Sequence, residues 1–323
     1  MYRSLFNKWI IANESDADIP SVSEMLESFA GVHLIVLYIS MPICIVICVL
    51  GLVHVYYISR HSTNDDVRAD LFYIVAIPPI AAVGALMGMF IPRAAGFLYA
   101  VVTTYYMLAL YMAVDMMYTM YGGRKALARY LEKKQVMIKL SIKPYACCCT
   151  CLPETKATMN NINWIDACIL QTVIIRVLLQ VCELTAYFEL RHKDHVFFTL
   201  SNVVNTVSMY TSLYFGYVLV EMAQEALSPY RFGLLFRLQD YIMSLPTVLK
   251  LILDFAVAAH WIGSVRKVPA DSVAMYYFNF MCLLENLVIS IYATYAFRPG
   301  HTALFSERLR SVSGDVSSSA TPL

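Results

Sequence analysis

The sequence predicts an all-α integral membrane protein with seven transmembrane helices, with its N-terminus outside the cell and its C-terminus inside (N-out/C-in). The composition is the first observation: 59% of the 323 residues are hydrophobic and only 15% are charged, whereas a soluble domain carries about 25% charged residues. The second is a set of seven apolar segments, each long enough to cross a bilayer, which takes about 20 residues. The third is the uneven distribution of Lys and Arg between the segments that join these spans.

The apolar segments divide the chain into three parts. A tail at 1–33 is predicted to be extracellular, a seven-helix domain covers 34–297, and the polar, serine-rich segment 298–323 is predicted to be a disordered cytoplasmic tail. A basic, cysteine-rich cytoplasmic loop lies at 119–163 within the helical domain. The predicted spans are Leu34–Ile58, Leu71–Ile91, Gly96–Tyr118, Trp164–Phe188, Val196–Val220, Tyr241–Ile262 and Val273–Phe297.

The positions of Lys and Arg predict the orientation. With the N-terminus outside, fifteen of the 24 Lys and Arg residues fall on the cytoplasmic side and seven on the external side. Cytoplasmic loops of membrane proteins carry the excess of positive charge, so this arrangement is favoured over its inverse. The single N-x-S/T triplet, Asn13-Glu14-Ser15, then falls in the external tail, where Asn13 is a predicted glycosylation acceptor.

The N-terminal tail contains the start signal of a short helix. Ser21-Val22-Ser23-Glu24 follows Pro20 and matches a capping box, in which a serine and a glutamate three residues later satisfy the first free backbone N–H groups. Met25, Leu26 and Phe29 would form its apolar side. Two positions remain open for this helix: flat on the outer membrane surface, or in solvent ahead of the first span.

The loop between spans three and four holds eight of the 24 Lys and Arg residues. After Gly122-Gly123, the segment Arg124–Leu140 predicts a basic helix near the inner membrane surface, with Leu127, Leu131 and Ile138 as a sparse apolar face. A basic cluster of this size beside a membrane attracts anionic lipid headgroups. Membrane lipids are therefore predicted partners of this loop.

Four clustered cysteines end this loop: Cys147, Cys148, Cys149 and Cys151. Pairs of zinc ligands are normally separated by two to four residues, and three adjacent cysteines cannot all face one ion without strain. No cysteine lies in a predicted external loop, so a structural disulfide is not expected. Beside a basic segment at the inner surface, the cluster predicts S-palmitoylation rather than a metal site.

Polar residues recur on one face of each of the last four spans. A charge in the middle of a span costs about 2.5–3.5 kcal/mol on insertion scales, so such positions are informative. One interpretation is a polar cavity or lateral groove in which Arg176 and Lys250 meet an anion; the other is hydrogen bonding between helices that locks the bundle. The residues of the predicted substrate path are Arg176, Gln180, Glu183, Asn205, Lys250, Asp254 and Glu285.

Several classes of protein are disfavoured by what the sequence lacks. It contains no HExxH, no nucleotide-binding glycine loop and no G-x-S-x-G, so we expect no enzyme activity, no cofactor and no metal. Nothing indicates a nucleic-acid partner. A heptahelical receptor is a weaker alternative, because span three lacks the Asp-Arg-Tyr signature and Asn286 is not followed by Pro-x-x-Tyr.

One combination of motifs resembles a known family. Ile91-Pro92-Arg93 opens span three, Gly122-Gly123 closes it, and a basic stretch leads to the run CCCTCLP at 147–153. This combination is similar to the organic solute transporter alpha subunit family, as are Leu284-Glu285 in span seven and Gln239 ahead of span six. The resemblance extends from about Pro20 to Pro299 and is strongest over 91–153.

The resemblance implies an N-out/C-in bundle of seven helices with lipidated cysteines in the loop. It implies sodium-independent, facilitated movement of steroid conjugates and bile-acid-like amphipathic organic anions across the plasma membrane. It also implies a single-span beta-type subunit as an obligate partner. No family motif assigns a substrate-binding residue, so the path residues are predicted from their polar stripes alone. A non-transporting protein that organises membranes or their trafficking is the alternative.

Overall fold

The computed structural model describes residues 19–62, 64–142, 154–190 and 196–305. The predicted glycosylation site Asn13, the four clustered cysteines and the tail beyond residue 305 lie outside the described residues. Ten helices are described within these ranges, besides three short 3-10 turns at Pro92–Ala94, Ser228–Tyr230 and Ala303–Phe305. They are α1 (Val22–Ser28), α2 (Val32–His61), α3 (Asp65–Val75), α4 (Ile77–Phe90), α5 (Ala95–Met120), α6 (Arg124–Lys133), α7 (Met159–Leu190), α8 (Val196–Leu227), α9 (Phe232–Ala258) and α10 (Ala270–Ala296).

Within the described ranges, seven helical spans are long and apolar enough to cross a membrane, which confirms the predicted all-α membrane fold with seven transmembrane helices. The second span consists of α3 and α4, which meet at Ala76 just before Pro78-Pro79. Proline supplies no backbone N–H and clashes with the preceding turn, which explains the break at this place. The second and third spans are joined through the 3-10 turn at Pro92–Ala94.

The sixth span is displaced from its predicted position. Helix α9 begins at Phe232 rather than Tyr241 and ends at Ala258 rather than Ile262. Phe232 and Phe236 are buried in the core, and this packing extends the helix through a stretch whose polar residues lower its mean hydropathy. The end of the helix is fixed by a turn in which His260 adopts a positive φ of 59°.

Helix α5 is the centre of the bundle. It contacts α3, α4, α7 and α9, and it buries Tyr106, Met107, Leu110, Met116 and Met117 almost completely. Helices α7 and α8 pack along each other on one side of α5, while α10 packs against α2 and α4 on another. The outer surface exposes large apolar side chains such as Leu52, Val207 and Leu251. An exposed apolar surface on a bundle of spanning helices is the surface that faces lipid.

The predicted capping box at the start of α1 is confirmed. The Ser21 backbone N–H donates to Glu24 Oε2 over 2.7 Å, and the Glu24 N–H donates to Ser21 Oγ over 3.3 Å. Because the Ser21 N–H and the Ser21 hydroxyl both donate to the Glu24 carboxylate, the pKa of Glu24 is held below its ordinary value. Met25 and Phe29 are buried against the spans, and the Phe29 ring packs edge-on to Tyr276 with centroids 4.9 Å apart. Helix α1 thus packs against the end of the bundle, rather than standing free in solvent ahead of the first span.

The predicted basic helix is shorter than expected. Helix α6 ends at Lys133, and strand β1 (Met137–Ile138) pairs antiparallel with strand β2 (Thr155–Lys156) across the loop. The three residues of its apolar face are buried against the spans rather than turned to the bilayer: Leu127, Leu131 and Ile138. Its cations Lys125 and Arg129 stay exposed.

Candidate functional site

The polar stripes of α7 and α8 face each other, with Glu183 as the main acceptor. Gln180 Nε2 donates to Glu183 Oε2 over 2.8 Å. From α8, the Ser201 hydroxyl and the Asn205 amide both donate to Glu183 Oε1, the amide over 3.5 Å. The structure therefore brings three of the predicted path residues, Gln180, Glu183 and Asn205, into one cluster in which the carboxylate has three donors.

Further along the same seam, the polar side chains bond helix to helix. Ser208 Oγ donates to Thr172 Oγ1 over 3.1 Å. Ser212 Oγ lies 3.1 Å from the Cys168 carbonyl oxygen and 3.2 Å from that of Ile169. Small hydroxyl residues that pair across helices stabilise the contact of spans. In this part of the stripe, the polar side chains therefore serve to hold the two helices together, which is the second of the two interpretations of the stripes.

Arg176 differs from the other polar residues of α7. Its Nε is buried and has no hydrogen-bond partner among the described residues. The guanidinium is close enough to Tyr99 of α5 and to Glu183 for electrostatic interaction with both. An unsatisfied buried donor is costly, because it has lost water without gaining a partner. Arg176 thus keeps one unpaired N–H group inside the bundle.

Tyr99 connects Arg176 to the polar residues of the last two spans. Arg176, Asp254 of α9 and Cys282 of α10 are near enough to act on its hydroxyl through charge, and its ring packs edge-on against Phe278 of α10 with centroids 5.4 Å apart. Cys282 in turn is near Glu285, whose Oε1 is buried and has no partner within the described ranges. Arg176 and Asp254, on α7 and α9, therefore lie in the surroundings of one tyrosine of the central helix.

Lys250 and Asp254 form the ion pair that their spacing predicts. Lys250 Nζ lies 2.9 Å from Asp254 Oδ2, and the two side chains are 36% and 60% exposed. The same helix exposes Leu251, Ile252 and Phe255. Helices α7 and α9 are the least enclosed of the seven spans. The pair therefore lies on the exposed side of α9, at the surface of the bundle.

Two features of the structure had no signal in the sequence. Tyr99 is one of 23 tyrosines, and nothing in its local pattern distinguishes it. The second is an ion pair in which Arg124 Nη1 of α6 lies 3.0 Å from Asp166 Oδ2 of α7. Burial lowers the pKa of Arg124, but the Asp166 carboxylate and two tyrosines outweigh it, so that the pKa is raised above its ordinary value.

Comparison with known proteins identifies the family. The family model described as organic solute transporter Ostalpha matches residues 36–302. The chain belongs to this family. It is 31% identical over 288 residues to organic solute transporter alpha-like protein 1 of Caenorhabditis elegans, covering 89% of this chain and 75% of that protein. It is 26% identical to alpha-like protein 3 of the same organism, covering 89% and 83% of the two chains.

A vertebrate relative matches a shorter part of the chain. Organic solute transporter subunit alpha of Bos taurus is 25% identical over 149 residues, which cover 45% of this chain and 42% of that protein. No solved structure matches the chain. Membership of the Ostalpha family confirms the resemblance, and it makes this multi-pass membrane protein a solute transporter subunit rather than an enzyme.

Proposed function

We propose that the chain is one subunit of a facilitative transporter that moves amphipathic organic anions, such as steroid conjugates and bile-acid-like molecules, across the plasma membrane. One observation carries this proposal: Arg176 holds a buried, unpaired N–H donor within the bundle, beside the least enclosed spans. A guanidinium presents donors in a planar fork that matches a carboxylate or sulfate group. The anionic end of such a molecule is the partner that this donor lacks.

The surroundings of Arg176 fit an amphipathic substrate. The anion would bind the guanidinium and the Tyr99 hydroxyl, while the apolar body of the molecule lies against exposed side chains such as Leu178 of α7 and Leu251 of α9. Glu183 stays fixed by its donors Gln180 and Ser201. Its carboxylate would attract the guanidinium again when the anion leaves, which favours release and suits facilitated transport.

We propose a single-span beta-type subunit as the partner and N-out/C-in as the orientation. The printed name of the Bos taurus relative, a subunit alpha, supports an assembly of unlike subunits. For the loop, we propose acylation at Cys147, Cys148, Cys149 and Cys151. The exposed cations Lys125 and Arg129 of α6 support a position at an anionic lipid surface. We also retain Asn13 as the proposed glycosylation site.

Uptake into vesicles tests the proposed transport. Purified protein with the coexpressed beta-type subunit is reconstituted, and entry of a labelled steroid sulfate is measured. Arg176→Gln removes the charge and should lower uptake at least tenfold at equal reconstitution, because a charge-assisted contact contributes about 1.5–3 kcal/mol. Arg237→Gln is the matched control, since Arg237 is an exposed residue of α9, and its uptake should stay near that of the wild type.

Two results would contradict this proposal in different ways. If Arg176→Gln transports like the wild type, the substrate path lies elsewhere. If both subunits are present and no steroid sulfate enters, the chain does not transport this class of molecule, and a role in membrane organisation or trafficking is favoured.

A further inference from the structure

A separate cavity of about 80 Å³ lies between α2, α3, α4, α9 and α10. It is found near the end of the bundle where α2 and α10 end and α9 begins. Most of its lining is aliphatic, including Ile58, Leu71, Ile242 and Ile289. The 3-10 turn at Ala303–Phe305 closes one side through Leu304, which is 1% exposed. None of the predicted path residues lines this cavity.

Gln239 is the exceptional residue of the lining. Its side chain is 2% exposed, and neither Oε1 nor Nε2 has a hydrogen-bond partner among the described residues. Buried amides in folded proteins are nearly always hydrogen-bonded, because an unpaired buried group loses its hydrogen bonds to water and gains none within the protein. The cavity therefore presents one acceptor and one donor group that a ligand could satisfy together.

The charge of the lining selects the kind of ligand. No Asp, Glu, Lys or Arg lines the cavity, so it offers no counter-charge to an anion. Two other polar rings line the cavity, His54 and Tyr57, and His54 is already engaged, since its Nε2 lies 2.7 Å from Thr294 Oγ1. A hydroxyl group both donates and accepts, so it can bond to Oε1 and Nε2 of one amide at the same time.

We propose that this cavity binds a neutral lipid that ends in a hydroxyl group, with the hydroxyl held by the Gln239 amide and the hydrocarbon against the aliphatic lining. This site is distinct from the anion path around Arg176 and does not depend on it. The ligand would also contact the turn at Ala303–Phe305. That turn is anchored to the 3-10 turn ahead of α9, because Thr302 Oγ1 donates to the Tyr230 carbonyl oxygen over 3.1 Å.

Photolabelling of the purified full-length chain tests the proposal. The probe is dodecanol with a diazirine in its chain, and labelled peptides are mapped by mass spectrometry. We expect saturable labelling of peptides from α2, α9 and α10 that unlabelled dodecanol displaces. Gln239→Leu keeps the bulk of the side chain without its hydrogen bonds and should reduce labelling about tenfold, which corresponds to about 1.4 kcal/mol.

A second pair of variants makes the test independent of Gln239. Ala293 lines the cavity, so Ala293→Phe should fill it and abolish labelling. Ala258 is an exposed residue at the end of α9, and Ala258→Phe should label like the wild type. Equal labelling in Gln239→Leu or in Ala293→Phe would overturn the proposal. So would equal labelling by a diazirine dodecane without the hydroxyl, or stronger labelling by the corresponding dodecanoate anion.

Discussion

At the scale of single residues, the informative groups are the buried polar atoms and the partners they have or lack. Asp166 lies in the fourth span with its side chain 7% exposed, and Arg124 reaches it from the loop helix. The Arg124 side chain also donates to the Tyr111 hydroxyl over 3.3 Å and lies over the Tyr118 ring at 5.1 Å from its centroid. This one side chain ties the basic loop to two spans.

Arg124→Ala should destabilise the protein by about 2 kcal/mol, since removing one partner of a buried pair leaves an uncompensated charge. The expected loss of stability is smaller than that for a fully buried pair, because Arg124 is 38% exposed. The measurement is the unfolding temperature in detergent, with the exposed Arg129→Ala as the control that should stay unchanged. The double variant Arg124→Ala with Asp166→Asn should recover part of the lost stability. If it recovers none, the unpaired Asp166 carboxylate is not the cause of the destabilisation.

At the scale of elements, close approach of helices decides how the later spans pack. Helices α8 and α9 meet where Gly216 faces Phe236, and a Cβ at Gly216 would lie 2.5 Å from Phe236 Cζ. Phe236 is fully buried and packs edge-on against Tyr217 with centroids 5.1 Å apart. The ring therefore cannot move aside, and glycine is required at this contact for lack of space.

Gly216→Ala should lower the stability by about 1–2 kcal/mol. Overpacking of a filled core costs about 1–3 kcal/mol, which exceeds the gain of about 1 kcal/mol from placing alanine rather than glycine in a helix. Thermal unfolding in detergent measures the difference. Gly96→Ala is the matched control, because Gly96 is also helical and a Cβ there meets nothing within 4 Å. An unfolding temperature of Gly216→Ala at or above that of the wild type would show that α8 and α9 can separate at this point.

At the scale of the whole molecule, the two ends of the bundle carry different sets of elements. Helix α1, the turn at Pro92–Ala94 and the connection from α9 to α10 meet at one end. There Arg93 Nε donates to the Ile19 carbonyl oxygen over 3.0 Å, and Arg266 Nη1 donates to that of Glu27 over 3.2 Å. The basic helix α6 follows the last residue of α5 and lies at the other end. The excess of Lys and Arg at the α6 end predicts that this end faces the cytoplasm.

Labelling of intact cells tests this orientation. A cysteine placed by Lys267→Cys, in the exposed connection between α9 and α10, should react with a membrane-impermeant maleimide added outside. Lys125→Cys, on the exposed side of α6, should react only after the membrane is permeabilised. The wild-type chain provides the background from its own cysteines. The reverse pattern of labelling would require the inverted orientation.

The two halves of the predicted site differ in how far the sequence could define them. Helical spacing was sufficient for the pair Lys250–Asp254 and for the contact of Gln180 with Glu183, because residues three and four apart on one helix are neighbours in any fold. The position of Tyr99 near Arg176 and the cavity at Gln239 could not be predicted. They depend on which faces of α5, α7, α9 and α10 meet. The hydropathy of a segment does not determine how its helix is rotated against its neighbours. Gln239 was placed ahead of a span, yet it lies inside α9 and is buried.

The sequence by itself determined that the chain crosses the membrane seven times and belongs to the Ostalpha family. Both follow from local signals. The length and polarity of each segment decide its transfer into lipid, and a sequence motif is recognised from neighbouring residues without knowledge of the fold. Only the tertiary structure decided that α1 packs into the bundle, that serines of α8 lock α7, and that Arg176 keeps an unpaired donor. These outcomes depend on contacts between residues far apart in the chain, and their free energies arise only when the helices pack.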